Sequence, residues 1–183
     1  CSTCPLGKGC PGGGSDAITC TAGTYITKWN GTNFVYHSGL GAHKCTICEA
    51  GHYCSGGEND KSQQCSSGEY PAFANDTYAP IGATQCKECP VGWYCTGNSA
   101  SKAQCAAGTY ITNGGTFTSG TGATNCTACP QGYYCSGAAA DKSAAMCSVG
   151  KYTVDANGTY VTSSAVSCDL CPPGYSCAGG IAD

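Results

Sequence analysis

Cys89-Pro90-Val91-Gly92-Trp93-Tyr94-Cys95, followed by Cys105-Ala106-Ala107-Gly108-Thr109-Tyr110, states one phrase twice: C-x-x-G-x-Y. The phrase opens at Cys4, Cys20, Cys48, Cys65, Cys89, Cys105, Cys129, Cys147 and Cys171, with glycine in its fourth place every time and tyrosine in its sixth at seven of the nine. Aligned on cysteines, blocks begin at Cys1, Cys45, Cys86, Cys126 and Cys168, so the period is 44, 41, 40 and 42 residues. Recurrence at such a period is the signature of an array. The expected units are residues 1–44, 45–85, 86–125 and 126–167, with a partial fifth at 168–183. Each reads C-x2-C-x5-C-x(9–11)-C before a loop of 20 to 24 residues; the last has three cysteines, which accounts for the odd total of 19.

Composition explains why an array of this kind needs its cysteines. Leu, Ile, Val and Phe number 18 of 183 residues, too few to bury the apolar surface that offsets conformational entropy. Cysteine exceeds the share of about 8–10% that marks a disulfide scaffold, and bridges act by lowering the entropy of the unfolded chain. Disulfides persist in oxidising surroundings, so the expected location is extracellular or at the cell surface. Charged residues are 10% and the net charge is −3, with no Lys/Arg run, which leaves nucleic-acid binding and electrostatic membrane docking unsupported. No apolar run reaches the 18 residues of a membrane span. The chain opens on a half-cystine and stops inside a block, and so reads as a piece of something longer.

Further columns recur between the cysteines. Gly12, Gly56, Gly97, Gly137 and Gly179 lie two residues after the third cysteine of each block, where a turn of positive φ selects glycine. Asp16, Asp60, Ser101, Asp141 and Asp183 follow four residues later, and read as Asx-type turns or caps. One carboxylate per block is far short of a calcium shell. In the long loops, Thr24–Thr27 and Asn33–Tyr36 flank Asn30-Gly31, and Lys151–Val154 and Thr159–Thr162 flank Asn157-Gly158. β-branched and aromatic runs about Asn-Gly predict short hairpins. The third loop has Asn113-Gly114 between Tyr110–Thr112 and Thr116–Thr118, and the second substitutes Asn75-Asp76. No helical period stands out. The fold class is small, disulfide-rich, mostly β and irregular: an elongated tandem array of cysteine-stapled units with short hairpins.

Two pairings of the cysteines suit the pattern, and connectivity is not settled by spacing. In the sequential one, Cys4 joins Cys10, Cys20 joins Cys45, Cys48 joins Cys54, Cys65 joins Cys86, Cys89 joins Cys95, Cys105 joins Cys126, Cys129 joins Cys135, Cys147 joins Cys168 and Cys171 joins Cys177. Cys1 is then left for a partner upstream. The interlaced alternative pairs first with third and second with fourth in each block, with Cys171 left over. The sequential scheme is favoured because it treats all nine phrases alike and clamps each long loop at its base.

For chemistry the sequence offers little. Cys45/Cys48 with Cys86/Cys89 have the spacing of a four-thiolate zinc cage, but further cysteines at fixed phase argue against it, and no βαβ setting supports a redox pair. His37, His43 and His52 share no phase. No catalytic grouping, phosphate loop, metal or cofactor site is expected, and the chain does not read as an enzyme. Asn30-Gly31-Thr32, Asn75-Asp76-Thr77 and Asn157-Gly158-Thr159 do share a phase, each asparagine five residues after the tyrosine of its long loop. An N-glycosylation acceptor belongs on an exposed loop, and a stapled loop tip provides one. Asn125-Cys126-Thr127 fits the rule as well, beside a half-cystine. Ser and Thr form about a fifth of the chain, which leaves room for O-linked sugar. The twelve tyrosines read as core substitutes lying across cystines, and Trp29 adjoins a sequon against whose glycan it can pack.

Gly51-His52-Tyr53-Cys54-Ser55-Gly56-Gly57, Gly82-Ala83-Thr84-Gln85-Cys86 and Gly132-Tyr133-Tyr134-Cys135-Ser136-Gly137 resemble the ephrin-receptor-like cysteine-rich repeats of large secreted and surface proteins of protists. They are also similar to the repeats of ciliate surface immobilisation antigens. The C-x-x-G-x-Y opening of each long loop resembles the single-disulfide module that begins growth-factor-receptor-like repeats of the tumour-necrosis-factor-receptor type, and that likeness favours sequential pairing. The expected function is a structural glycoprotein of a cell-surface coat or extracellular fibril, with N-linked glycans and self-association or neighbouring units as its partners. The alternative is the ligand-binding or adhesive ectodomain of a surface receptor.

Overall fold

The computed structural model describes residues 3–6, 8–12, 16–37, 40–57, 63–97, 102–118, 120–137 and 145–179. Cys1, Asp60, Ser101, Asp141 and Asp183 lie outside them; Asp16 is described and exposed. Among the described residues every regular element is a strand, and the strands form separate antiparallel sheets of two or three. The chain divides into two compact units, Cys1–Lys87 with Gly97–Ser101, and Glu88–Thr96 with Lys102–Asp183.

Among the described residues nine disulfides follow the sequential order, the cysteines from Cys4 onward bridged in successive pairs. They enclose short loops with a sequence separation of 6 and long loops with separations of 21 to 25. Loop-closure entropy is worth about 2 kcal/mol for the short and about 3 kcal/mol for the long ones. In each long loop the strand after C-x-x-G pairs with the strand that carries the closing cysteine. Thr24–Trp29 lies along Lys44–Ile47 with Ile26 opposite Cys45, and Thr109–Asn113 along Asn125–Ala128 with Ile111 opposite Cys126. Lys151–Val154 runs along Ser167–Leu170 with Thr153 opposite Cys168, and Glu69–Ala72 neighbours Gln85–Glu88. Each long bridge therefore closes a ladder that backbone hydrogen bonds already hold.

The expected hairpins fare differently from loop to loop. About Asn30-Gly31 the pairing is as expected, Trp29 facing Phe34 and Thr27 facing Tyr36. In the third loop the turn sits one residue later: Asn113 pairs with Thr116, and Gly114 and Gly115 form the tip with φ of 58° and 84°. Two consecutive positive φ values suit Gly-Gly as they would Asn-Gly, and the register of Ile111 with Cys126 sets which pair forms the tip. In the fourth loop Thr159–Thr162 is not a strand. Its strand pairing with Lys151–Val154 is reduced to the isolated bridge of Val154 with Tyr160, beside which the Thr153 hydroxyl donates to Val161 O, because the Asp155 carboxylate accepts the amides of Asn157 and Thr159 and draws the chain into a tight turn. Ser164, at φ 57°, then turns it back. In the second loop Asp76, at φ 65°, does the turning, held by Gln85 Nε2 at 2.9 Å and Lys87 at 3.0 Å.

The apolar interior is a series of small clusters around sulfur. Cys20, Ile26 and Ala42 pack with Tyr36 and Cys45, Tyr25 lies against Cys48 and Cys54, and Cys105, Ile111 and Ala123 pack with Tyr94 and Cys126. Thr27 and Thr112 are fully buried on the same strands, and their hydroxyls meet those of Thr46 and Thr127 at 2.8 and 2.9 Å. That satisfies polar atoms where burial would otherwise be costly.

Backbone hydrogen bonds seat each short loop on the long loop after it. Cys54 N–H donates to Ala83 O and Gly82 N–H to Cys48 O, and the same pair recurs as Cys10 to Ala42 with Gly41 to Cys4, Cys95 to Ala123 with Gly122 to Cys89, and Cys135 to Ala165 with Ser164 to Cys129. The accepting alanines, Ala42, Ala83, Ala123 and Ala165, are all buried. A second set ties a short loop to the long loop before it: Cys48 to Gly23 O with Gly23 to Cys54 O, Cys129 to Gly108 O with Gly108 to Cys135 O, and Cys171 to Gly150 O with Gly150 to Cys177 O. Glycine two residues past the third cysteine is dictated twice over at these seats. Gly56, Gly97, Gly137 and Gly179 have φ of 82°, 87°, 79° and 71°, and a Cβ on Gly137 would stand 2.5 Å from Ala107 N.

These two constraints separate by mutation. Gly158 has φ 77° with nothing within 4 Å of where an added Cβ would stand, so Gly158→Ala meets backbone strain alone, about 1–2 kcal/mol. Gly137→Ala adds the clash with Ala106 and Ala107 and costs roughly 3 kcal/mol or more. Guanidinium midpoints of the two variants should rank in that order; equal midpoints would contradict the close seat.

Candidate functional site

The features that face solvent in a common setting are the three sequon turns. In the first, Asn30 N–H donates to Asn33 O at 3.1 Å, while Asn30 Oδ1 accepts the amides of Thr32 and Asn33 at 2.9 and 2.8 Å. This Asx turn uses the carboxamide oxygen to cap the tip and leaves the nitrogen, the atom to which an N-linked sugar would attach, as the free end. Asn75 does the same with Thr77, accepting from its amide at 3.2 Å and from its hydroxyl at 2.6 Å. At the third, the cap is Asp155, whose carboxylate binds the amides of Asn157 and Thr159 at 2.8 and 2.9 Å. Asn30, Asn75 and Asn157 are all exposed, as are the threonines two residues on.

Asn125 has a different setting. It lies within the strand Asn125–Ala128, and its Oδ1 accepts the hydroxyls of Thr112 and Thr124. The adjoining Cys126 is bridged to Cys105.

Aromatic rings gather near the first sequon. Trp29 and Phe34 are tilted on one another with centroids 5.1 Å apart, the His43 ring meets Phe34 edge-on at 6.4 Å, and the Lys44 ammonium lies 3.7 Å over the Phe34 ring. His43 Nδ1 also accepts the Trp29 amide. His37 and His52 make local contacts to Leu40 O and Ala50 O, so the three histidines do not converge. A cleft of about 520 Å³ is lined by Tyr152, Tyr160, Pro172, Tyr175, Ser176 and Cys177. It offers aromatic faces and hydroxyls, and none of its side chains is a carboxylate, an imidazole or a free thiol. Neither this cleft nor the part played by Asp155 is signalled by a motif: both depend on which loop faces which.

The cysteines of C-x-x-C are consumed by bridges. Cys45 goes to Cys20 and Cys48 to Cys54, so they are not thiolates that could hold zinc. Among the described residues no group of three or more metal-ligating side chains occurs, and no helix is long and apolar enough to cross a membrane. The bridges do require an oxidising environment.

No protein-family model matches the chain, and no curated protein matches it in sequence.

Glu49 links one short loop to the strand beneath it. The Tyr25 hydroxyl donates to Glu49 Oε1 at 3.2 Å; burial first, then the Glu49 charge and the hydrogen bond, hold the phenol above its ordinary value of 10.0. A phenol raised on folding contributes stability that is complete below about pH 10 and is lost as pH climbs through the folded value. Tyr25→Phe should therefore cost about 1 kcal/mol at pH 8, and its deficit against the parent should shrink between pH 10 and 12. Denaturant midpoints against pH check this; a deficit that grows with alkali would contradict it.

Proposed function

We propose that this chain is a structural extracellular glycoprotein, part of a cell-surface coat or fibril, built as an array of cystine-closed units that carry N-linked sugar at Asn30, Asn75 and Asn157. The single observation that carries the reading is the setting of those three asparagines. Each stands exposed on a long-loop turn whose base is closed by a disulfide, where a transferase reaches it and a glycan projects without disturbing the packed sulfur. Short loops seated by recurring backbone hydrogen bonds support the array reading, since the same contact could be extended by another unit of the same kind. Covalent closure of nearly every loop suits a material exposed to proteases, because cleavage needs local opening. The resemblance to protist surface repeats agrees with this role, as does an extracellular or cell-surface location. Partners on this reading are the glycans and neighbouring units. No catalytic role is proposed.

The tyrosine-lined cleft favours a second reading, the ectodomain of a receptor or adhesin, since ring faces with a few hydroxyls commonly line binding pockets.

Glycopeptide masses together with negative-stain images of native material separate these. The structural reading expects sugar on Asn30, Asn75 and Asn157, none on Asn125, and continuous fibres or sheets. Bare asparagines would remove the glycoprotein assignment; discrete monomers with a saturable protein ligand would move the function to the receptor class.

A further inference from the structure

The first sequon differs from the other two in what surrounds it. Trp29 and Phe34 face each other across the hairpin, directly at the root of the turn that presents Asn30. They remain 45% and 39% exposed. Phe34 is fully engaged: Lys44 lies over its ring and His43 meets it edge-on. Trp29 has its amide held by His43 and one side braced by Phe34, which fixes the indole and leaves the rest of it to solvent. The turn beside it is uncrowded, for nothing lies within 4 Å of where a Cβ on Gly31 would be.

In the third long loop, which has no sequon at its tip, Phe117 is opposite Thr112 and its ring lies 6.2 Å from that of Tyr110, and in the fourth Tyr152 lies 6.2 Å from Tyr160. Among the described pairings, two rings directly opposite one another at the root of a turn occur in the first loop.

We infer that the Trp29 indole, braced by Phe34, is a platform for the first N-acetylhexosamine of the chain's own glycan on Asn30. The inference rests on the glycoprotein reading above. Consecutive Cα atoms are about 3.8 Å apart, a spacing that one amide-linked pyranose bridges when it folds back. The Asx turn pins Asn30 Oδ1 to the backbone, so the substituted nitrogen starts from a fixed position. A pyranose presents a face of axial C–H groups with partial positive charge to the negative face of the indole. The acetamido group stays in water. Ordering the sugar this way would shield the hairpin's exposed rings and hold the glycan close to the protein surface.

The test uses the full chain, made in a glycosylating host with Trp93→Phe, so that Trp29 is the sole tryptophan. Occupancy at Asn30 is established first by glycopeptide mass. Acrylamide quenching of Trp29 is then compared with the same protein carrying Thr32→Ala, which removes the sequon and keeps the Asn30 side-chain cap. Covering the face that Phe34 leaves open should lower the quenching constant by about half or more in the glycosylated form. A pair that only braced the hairpin would quench alike in both proteins. Equal quenching with sugar present on Asn30 overturns the platform and leaves the glycoprotein reading intact; absence of sugar at Asn30 overturns both.

Discussion

Closure of the chain on itself every few residues is the constraint from which the rest of this structure follows. A bridge with a separation of 6 fixes so small a loop that its backbone amides and carbonyls are presented at set positions. Neighbouring long loops then meet those groups with their own backbone, at Gly23 and at Gly82 and Ala83 around Cys48–Cys54. Contacts between main chains require main chains to approach, and this is why the residues at the seats are glycine and alanine, save for the small Ser164 at the last. A larger side chain at Ala83 or Ala165, both completely buried, would hold the loops apart and break the hydrogen bonds. Sulfur thus does two things in one place: it limits the unfolded ensemble and it is itself the apolar filling, with Cys48, Cys54, Cys89 and Cys129 all at 0% exposure.

Function on the proposed reading is the outward face of the same arrangement. Because cystine and alanine fill most of the interior, large aliphatic side chains such as Ile26 and Ile111 are needed only singly, and the long loops are free to vary at their tips. They do vary: one tip is capped by an asparagine carboxamide, one turned by left-handed Asp76, one closed by two glycines and one drawn in by Asp155. Three of the four carry an exposed acceptor asparagine. Modification at such tips disturbs nothing beneath, because the ladder and the bridge at the base are complete without them.

Much of this was legible in the chain. The recurring C-x-x-G-x-Y phrase led to the order of the bridges, and the glycine column at Gly56, Gly97 and Gly137 led to positive φ, both from local chemistry. Partner choice was not legible to the same degree. Period and β-propensity mark Thr159–Thr162 as extended, yet Asp155 competes for the amides that a ladder would use, and a side chain's preference for near backbone over a distant strand has no periodic signal. The one-residue shift at Gly114-Gly115 has a similar origin, since Asn-Gly and Gly-Gly are both good tips and only the register of Ile111 with Cys126 decides between them. The cleft between Tyr160 and Tyr175 depends on loops 15 residues apart in sequence, and no motif encodes it.

The claim that everything rests on is that cystine replaces a hydrophobic core, and its most direct measurement is cooperative unfolding of the oxidised chain against the fully reduced, alkylated chain, followed by strand circular dichroism, with free thiols counted in denaturant beforehand. The account predicts at most a single reactive thiol before reduction, one cooperative transition for the oxidised protein, and none for the reduced one. A reduced chain that kept its strand signal and unfolded cooperatively, or an oxidised one in which most sulfurs were already free, would contradict it.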